Sequence, residues 1–255
     1  MPHEPTLVFV PGAWHTPDCW GKVMAAMEAQ HYKCIPVTLP TTQSTSNSVN
    51  FATDVKAVCD AIMAETTEGV DVIVLVHAYG GAVGASAISG LTRRNSETNA
   101  GTGHVLGLFM LSTGFVASGI SFMDALDGNP PPTFGADYEN NLMPIKADPI
   151  DMLYHDLPEE EAKYWVAKLT KHALTSATEG YEVAYEGWKD VPVWYIMTKE
   201  DKALPFEAQM MFARSAQKAG ADLTLREIHS SHSPMLSKPE ETVNLLLEAI
   251  EAFTA

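Results

Sequence analysis

The chain has 255 residues, 46% hydrophobic and 19% charged, ordinary values for a folded globular protein and enough length to bury one substantial core. A formal net charge of −16 is the wrong sign for a phosphate backbone, which excludes nucleic acid as a partner and favours an uncharged small molecule. Cys19, Cys34 and Cys59 have neither metal-ligand spacing nor the even count of a disulfide framework, no apolar run is long enough to span a membrane, and no secretory leader precedes the first strand. The expectation is a cytoplasmic protein with no metal, no cofactor and no membrane contact.

Thr6-Leu-Val-Phe-Val10, closed by Pro11-Gly12, has the continuous apolar, β-branched character of a buried parallel strand. A helix is expected over 18–30, a second strand over 33–39 ending at Pro40, and a Ser/Thr-rich loop over 41–50. Phe51, Val55, Val58, Ile62 and Met63 recur at helical spacing, with Asp54 and Asp60 assigned to the solvated face of that helix. Further strands are expected over 72–76, 105–111, 191–197 and 223–228, and a helix of small residues over 81–91 that can lie close against the sheet. Between about Phe115 and Lys189 the alternation stops, and Asn129-Pro-Pro-Pro132, an acidic helix start at Pro158-Glu-Glu-Glu161 and the aromatics Tyr164, Trp165, Tyr181, Tyr185 and Trp188 mark an inserted helical cap. The fold class is therefore α/β, one domain over 1–255 with its core at 1–114 and 190–255 and its cap at about 115–189.

The chemistry turns on the end of the third strand. There Val76-His77-Ala78-Tyr79-Gly80 occupies the strand, sharp turn and helix context in which a G-x-S-x-G elbow lifts a serine oxygen above a sheet, and alanine stands at the serine position. Alanine has no nucleophilic atom. Either the chain is a natural non-hydrolytic relative, or a serine has been replaced by Ala78 to stop turnover; the completeness of the remaining apparatus favours the second.

That apparatus lies in two loops at strand ends and in the loop after the first strand. Asp201, in Thr198-Lys-Glu-Asp-Lys-Ala-Leu-Pro205, is the candidate acid, with a turn or helix-cap role as its competitor. His232 is the candidate base in His229-Ser-Ser-His-Ser-Pro-Met-Leu236, favoured over His229 by the loop-to-helix entry that follows it. The order nucleophile, acid, histidine completes the pattern. The oxyanion donors are the Tyr79 amide and, because Pro11 has no N–H, the Ala13 amide of Val10-Pro-Gly-Ala-Trp-His15. Gly12, Trp14, His15, Trp165 and Trp188 are candidate substrate contacts; His15 serves equally well as a support for the oxyanion loop, His77 reads as a packed histidine, and the methionines as core filler.

These motifs resemble the α/β-hydrolase superfamily, and within it the branch of plant methyl esterases and hydroxynitrile lyases. Phe9-Val-Pro-Gly-Ala-Trp-His15 resembles that branch's oxyanion loop, Tyr195-Ile-Met-Thr-Lys-Glu-Asp-Lys-Ala-Leu-Pro205 its acid loop, His232-Ser-Pro-Met-Leu-Ser-Lys-Pro239 its histidine loop, and the elbow G-H-S-Y-G-G, with the serine position occupied by Ala78. The resemblance is weak across the cap. It implies the α/β-hydrolase fold, a mostly parallel sheet covered on both faces with the cap inserted before the last two strands. The lyases of this branch carry lysine after the histidine and threonine in the oxyanion loop, where this chain has Ser233 and Gly12, so lyase activity is disfavoured. The implied function is hydrolysis of a carboxylic ester or lactone of a hydrophobic small molecule through a Ser-His-Asp triad, inactivated here at Ala78. The alternatives are a natural cyclase, lyase or dehydratase using His232 and Asp201 as an acid–base pair, or a ligand-binding receptor. The oligomeric state, homodimer included, stays open.

Overall fold

Strands buried on both faces build one sheet. In the computed structural model, which describes residues 4–94 and 101–255, β1 (Thr6–Val10), β2 (Cys34–Pro36), β3 (Val72–His77), β4 (Val105–Leu111), β5 (Val193–Thr198) and β6 (Leu223–Ile228) pair in the order β2-β1-β3-β4-β5-β6. Every pairing is parallel, so each connection crosses over, and helices fill the crossovers. They are α1 (Gly21–Glu28), α2 (Phe51–Thr66), α3 (Gly80–Ala87), α4 (Pro149–Leu153), α5 (Glu159–Lys168), α6 (Thr175–Thr178) and α7 (Phe206–Lys218), while α8 (Pro234–Ser237) and α9 (Pro239–Thr254) follow β6.

Successive strand residues point to opposite faces, and the two faces carry separate clusters. Val8, Val10, Val74, Val76, Leu108 and Met110 pack with α2, α3 and α7, whereas Leu7, Phe9, Ile73, Leu75, Phe109 and Leu111 pack with α1 and α9. Burying each such side chain is worth about 1.5–3 kcal/mol. α3 lies close to β3 because its small residues permit it: a Cβ on Gly84 would stand 2.4 Å from Val76 Cγ1.

Several boundaries and one burial depart from the sequence expectation: the strand expected over 191–197 spans Val193–Thr198, and the helix expected over 18–30 spans Gly21–Glu28. The strand expected over 33–39 pairs only at Cys34–Pro36, an edge position where Pro36 has no N–H to donate. The helix expected over 81–91 runs Gly80–Ala87, ending where Ile88 leaves helical ψ. Asp54, assigned to a solvated face, is fully buried, because it lies three residues after Phe51 and four before Val58, on the apolar stripe itself; Asp60 is exposed and pairs with Lys56 at 2.6 Å.

Between β4 and β5 the chain leaves the sheet and forms α4, α5, α6 and a small antiparallel pairing at Phe134↔Ile145 and Asp137↔Leu142. This insertion is anchored to the loop after β1. The Trp14 indole N–H donates to the Met143 carbonyl at 2.8 Å, the Thr170 amide donates to the Trp14 carbonyl at 2.8 Å, and the Trp14 ring packs among Met123, Phe134 and Leu174. All three cysteines are free thiols, and among the described residues no helix is long and apolar enough to cross a membrane.

Candidate active site

β3 ends at His77, and the chain turns at once into α3. Ala78 takes φ of +46°, a left-handed conformation that costs an L-residue about 1–2 kcal/mol, and its neighbours hold it there. Its N–H donates to the Leu111 carbonyl at 3.1 Å, and its carbonyl accepts from the Thr113 hydroxyl at 2.6 Å and the Gly81 amide at 2.9 Å. A Cβ on Gly80 would stand 2.5 Å from the Pro11 carbonyl oxygen, so only glycine lets the turn approach the β1 loop this closely.

Asp201 and His232 meet. His232 donates from Nδ1 to Asp201 Oδ2 at 2.8 Å, and both side chains are buried. The two readings of Asp201 prove compatible, since its oxygens divide the work: Oδ1 accepts the Ala203 and Leu204 amides at 2.8 and 2.7 Å, a turn role, while Oδ2 accepts from Thr198 Oγ1 at 2.8 Å and from His232. Gln209 of α7 ties the loop down, donating to the Leu204 carbonyl at 2.7 Å and accepting from the Thr198 amide at 3.0 Å. His229 is exposed and 3.7 Å from Glu200 instead. With Nδ1 committed, His232 keeps Nε2 without a protein partner among the described residues, the arrangement by which an imidazole can exchange a proton with a bound molecule.

The loop after β1 faces the elbow. Trp14 takes φ of +61°, and neither the Ala13 nor the Tyr79 amide donates to any group among the described residues, whereas the Trp14, His15, Ala78 and Gly81 amides are bonded. His15 supports this loop: its amide donates to the Gly12 carbonyl at 3.3 Å, its Nδ1 donates to the Ala13 carbonyl at 2.7 Å, and its Nε2 accepts from the Tyr154 hydroxyl at 2.6 Å. Burial, above all, lowers His15 to about 4, so it is neutral at physiological pH. His77, fully buried, is held well below its ordinary value by the same desolvation.

Behind the elbow lies a polar cluster that no motif announced. Asp54 of α2 accepts from the Thr41 amide at 3.0 Å, from the Thr41 hydroxyl at 2.5 Å and from the Tyr79 hydroxyl at 2.7 Å. Desolvation raises its carboxyl to about 6 against these three donors. His172, from the insertion, accepts the Trp14 amide on Nδ1 at 3.1 Å, and its other nitrogen lies 3.3 Å from Thr41 Oγ1; burial lowers it to about 3. The one available signal was Asp54's place on the apolar stripe of α2; His172 sits in Lys171-His-Ala173 with none.

Of the three tryptophans expected at the substrate, Trp14 packs among Met123, Phe134 and Leu174, and Trp165 is half-buried and lines a small recess with His15, Thr16, Cys19, Lys168 and Leu169. Trp188 sits in the main core and donates to the Val116 carbonyl at 2.9 Å, a packing position on a different flank of the sheet. Gly12 approaches the elbow so closely that a Cβ there would stand 2.8 Å from His77 Nδ1 and 3.1 Å from the Ala78 methyl. Among the described residues no cluster of three or more His, Cys, Asp or Glu is disposed to hold a metal.

Comparison with known proteins agrees with this architecture. The sequence profile described as "Alpha/beta hydrolase family" matches residues 7–245. The chain is 25% identical over 248 residues, 96% of each protein, to "Alpha/beta hydrolase nvfD" of Aspergillus novofumigatus. Among solved structures it resembles tomato methylketone synthase I complexed with 2-tridecanone, with a TM-score of 0.76 and 20% identity, covering 98% of this chain and 99% of that one. It also resembles polyneuridine aldehyde esterase, with a TM-score of 0.72 and 19% identity, covering 97% and 99% respectively.

Proposed function

Because the chain belongs to the alpha/beta hydrolase family, we propose that its site is that of a serine-type hydrolase of carboxylic esters or lactones of hydrophobic small molecules, deprived of its nucleophile by Ala78. The observation that carries the reading is the elbow: an L-residue is held at φ of +46° by bonds to both its backbone groups, beside a histidine backed by a buried carboxylate. Alanine gains nothing from that strain. A serine there would gain a raised, attackable hydroxyl.

With serine at 78, the hydroxyl attacks the carbonyl carbon while His232 Nε2 takes its proton, and Asp201 steadies the imidazolium through Nδ1–H. The Ala13 and Tyr79 amides stabilise the oxyanion. His232 then returns the proton to the leaving alkoxide, and water, activated by the same imidazole, releases the acid. Without the hydroxyl the pocket binds the intact ester and stops. His15, His77 and His172 around the elbow are all held neutral by burial, which fits an uncharged substrate.

The test is turnover of a short-chain aryl ester and a panel of lactones by the chain and by its Ala78→Ser form. Turnover by the serine form alone is expected; silence from both overturns the reading.

Ala78 itself favours a second reading. Enolate-forming reactions, such as elimination or cyclisation next to a carbonyl, need two N–H donors and a proton-shuttling histidine but no nucleophile. Turnover of a carbonyl substrate by the unaltered chain, abolished by His232→Ala, would replace the first reading with this one.

A further inference from the structure

The two amides assigned to the oxyanion belong to segments far apart in the chain, and one run of hydrogen bonds joins them. His172 accepts the Trp14 N–H on Nδ1 at 3.1 Å. A neutral imidazole that accepts on Nδ1 carries its proton on Nε2, so Nε2–H donates to Thr41 Oγ1 at 3.3 Å. The Thr41 hydroxyl, its acceptor side used, donates to Asp54 Oδ2 at 2.5 Å, and the same oxygen accepts the Tyr79 O–H at 2.7 Å. Five segments contribute: the β1 loop, the insertion between β4 and β5, the loop before α2, α2 itself and the elbow between β3 and α3.

At one end the run grips the peptide beside Ala13. The Ala13–Trp14 peptide is held by both edges, its carbonyl by His15 Nδ1–H at 2.7 Å and its N–H by His172 Nδ1. The preceding peptide, which bears the Ala13 N–H, has its carbonyl held by the His15 amide at 3.3 Å, so its N–H is turned to the opposite side. At the other end the run grips the Tyr79 phenol, one residue beyond the elbow, and the Tyr79 and His172 rings meet edge to face at 4.9 Å.

We propose that Asp54 and His172 are positioning residues that fix the Ala13 and Tyr79 amides relative to one another as one preorganised donor pair. The inference rests on the hydrolase reading. Neither residue touches the reacting atoms; each acts through an intermediary, Thr41 and Trp14 on one side and Tyr79 on the other. Donors fixed before the reaction need no reorganisation as charge develops, so their alignment is felt in the transition state and not in ground-state binding.

The test uses the Ala78→Ser protein and a short-chain 4-nitrophenyl ester. Asp54→Asn and His172→Leu are each expected to lower kcat roughly 10- to 100-fold with KM within about twofold. His172→Asn, whose Oδ1 can accept the Trp14 N–H where Nδ1 did, should return to within about threefold of the parent, and Asp54→Asn combined with His172→Leu should fall no further than the worse single variant, because one run is cut twice. Unchanged kcat, KM rising in step with the loss, or multiplicative losses overturn the proposal. A second measurement needs no turnover and no charged-to-neutral change. In the unaltered chain, the shape-conserving Thr41→Val should displace the backbone amide resonances of both Trp14 and Tyr79, and an unmoved Trp14 or Tyr79 amide overturns the proposal. If Ala78→Ser is inactive, the hydrolase reading fails on that result alone, while the amide measurement still decides whether the two donors are coupled.

Discussion

His77 donates from Nε2 to the main-chain carbonyl of His232 at 2.9 Å, and the two rings pack 4.8 Å apart. Because the acceptor is a carbonyl, the His77 proton must sit on Nε2, which leaves Nδ1 as a buried acceptor with no partner among the described residues, facing Gly12. The residue before the elbow thus holds the backbone of the histidine loop across the sheet. His77→Gln, which can keep a donor at the Nε2 position, should retain most activity in the Ala78→Ser background. His77→Leu should lower kcat roughly tenfold and cost about 1–3 kcal/mol by orphaning the His232 carbonyl. Paired urea titrations and steady-state kinetics measure both; equal behaviour of the two variants sinks the assignment.

Asp201 offers a sharper discrimination. Asp201→Asn leaves a side chain of the same shape but puts either an amide N–H against His232 Nδ1 or the wrong imidazole tautomer in the site. In the serine form kcat should fall roughly 10⁴-fold with little change in KM. A loss confined to KM would mean that the carboxylate shapes the pocket and does not steer the histidine.

Acid lability follows from the neutral histidines. His15 and His172 have folded values of about 4 and about 3, both depressed by burial, so the unfolded chain binds their protons first as pH falls through 6.5. Their stabilisation is complete above pH 6.5 and is lost on the way down to those folded values, about 1.4 kcal/mol per pH unit for each histidine. Asp54 runs the other way. Its carboxyl, raised to about 6, favours the folded state as pH falls from 6 towards the ordinary aspartate range, and offsets part of one histidine's loss. Urea midpoints should therefore drop between pH 6.5 and 4.5, and the drop should shrink in His172→Asn. A flat profile would mean that these rings are solvated and able to take protons while folded.

Two glycines make opposite predictions for the same substitution. Gly12→Ala drives a methyl to 2.8 Å from His77 Nδ1 and should destabilise by about 1–3 kcal/mol. Gly21→Ala adds a methyl with nothing within 4 Å at the helical start of α1 and should stabilise by up to about 1 kcal/mol. Thermal unfolding of the pair checks both signs.

The sheet was readable in advance because its strands are short apolar runs closed by Pro and Gly, and the limits of β1, β4 and β6 match the sequence expectation residue for residue. Asp201 and His232 were readable because each follows a strand within a local motif. Asp54, Thr41 and His172 were not, since their meaning lies in a contact among three segments and only Asp54 left a trace, an acidic residue on an apolar stripe. Trp188 shows the converse difficulty: an aromatic in the insertion looks alike whether it lines a pocket or fills a core, and only its bond to Val116 distinguishes the two.

The strand order has a consequence for how the protein is made. No hairpin joins neighbouring strands, and His77 and His232, which meet in the finished molecule, are 155 residues apart in the chain. β6, at the outer edge, brings the histidine loop. A chain emerging from the ribosome therefore presents its Ala78 turn and the loop after β1 long before His232, the candidate base, arrives, and until then β5 presents an unpaired edge. The last strand to be synthesised closes the sheet and completes the site in the same step.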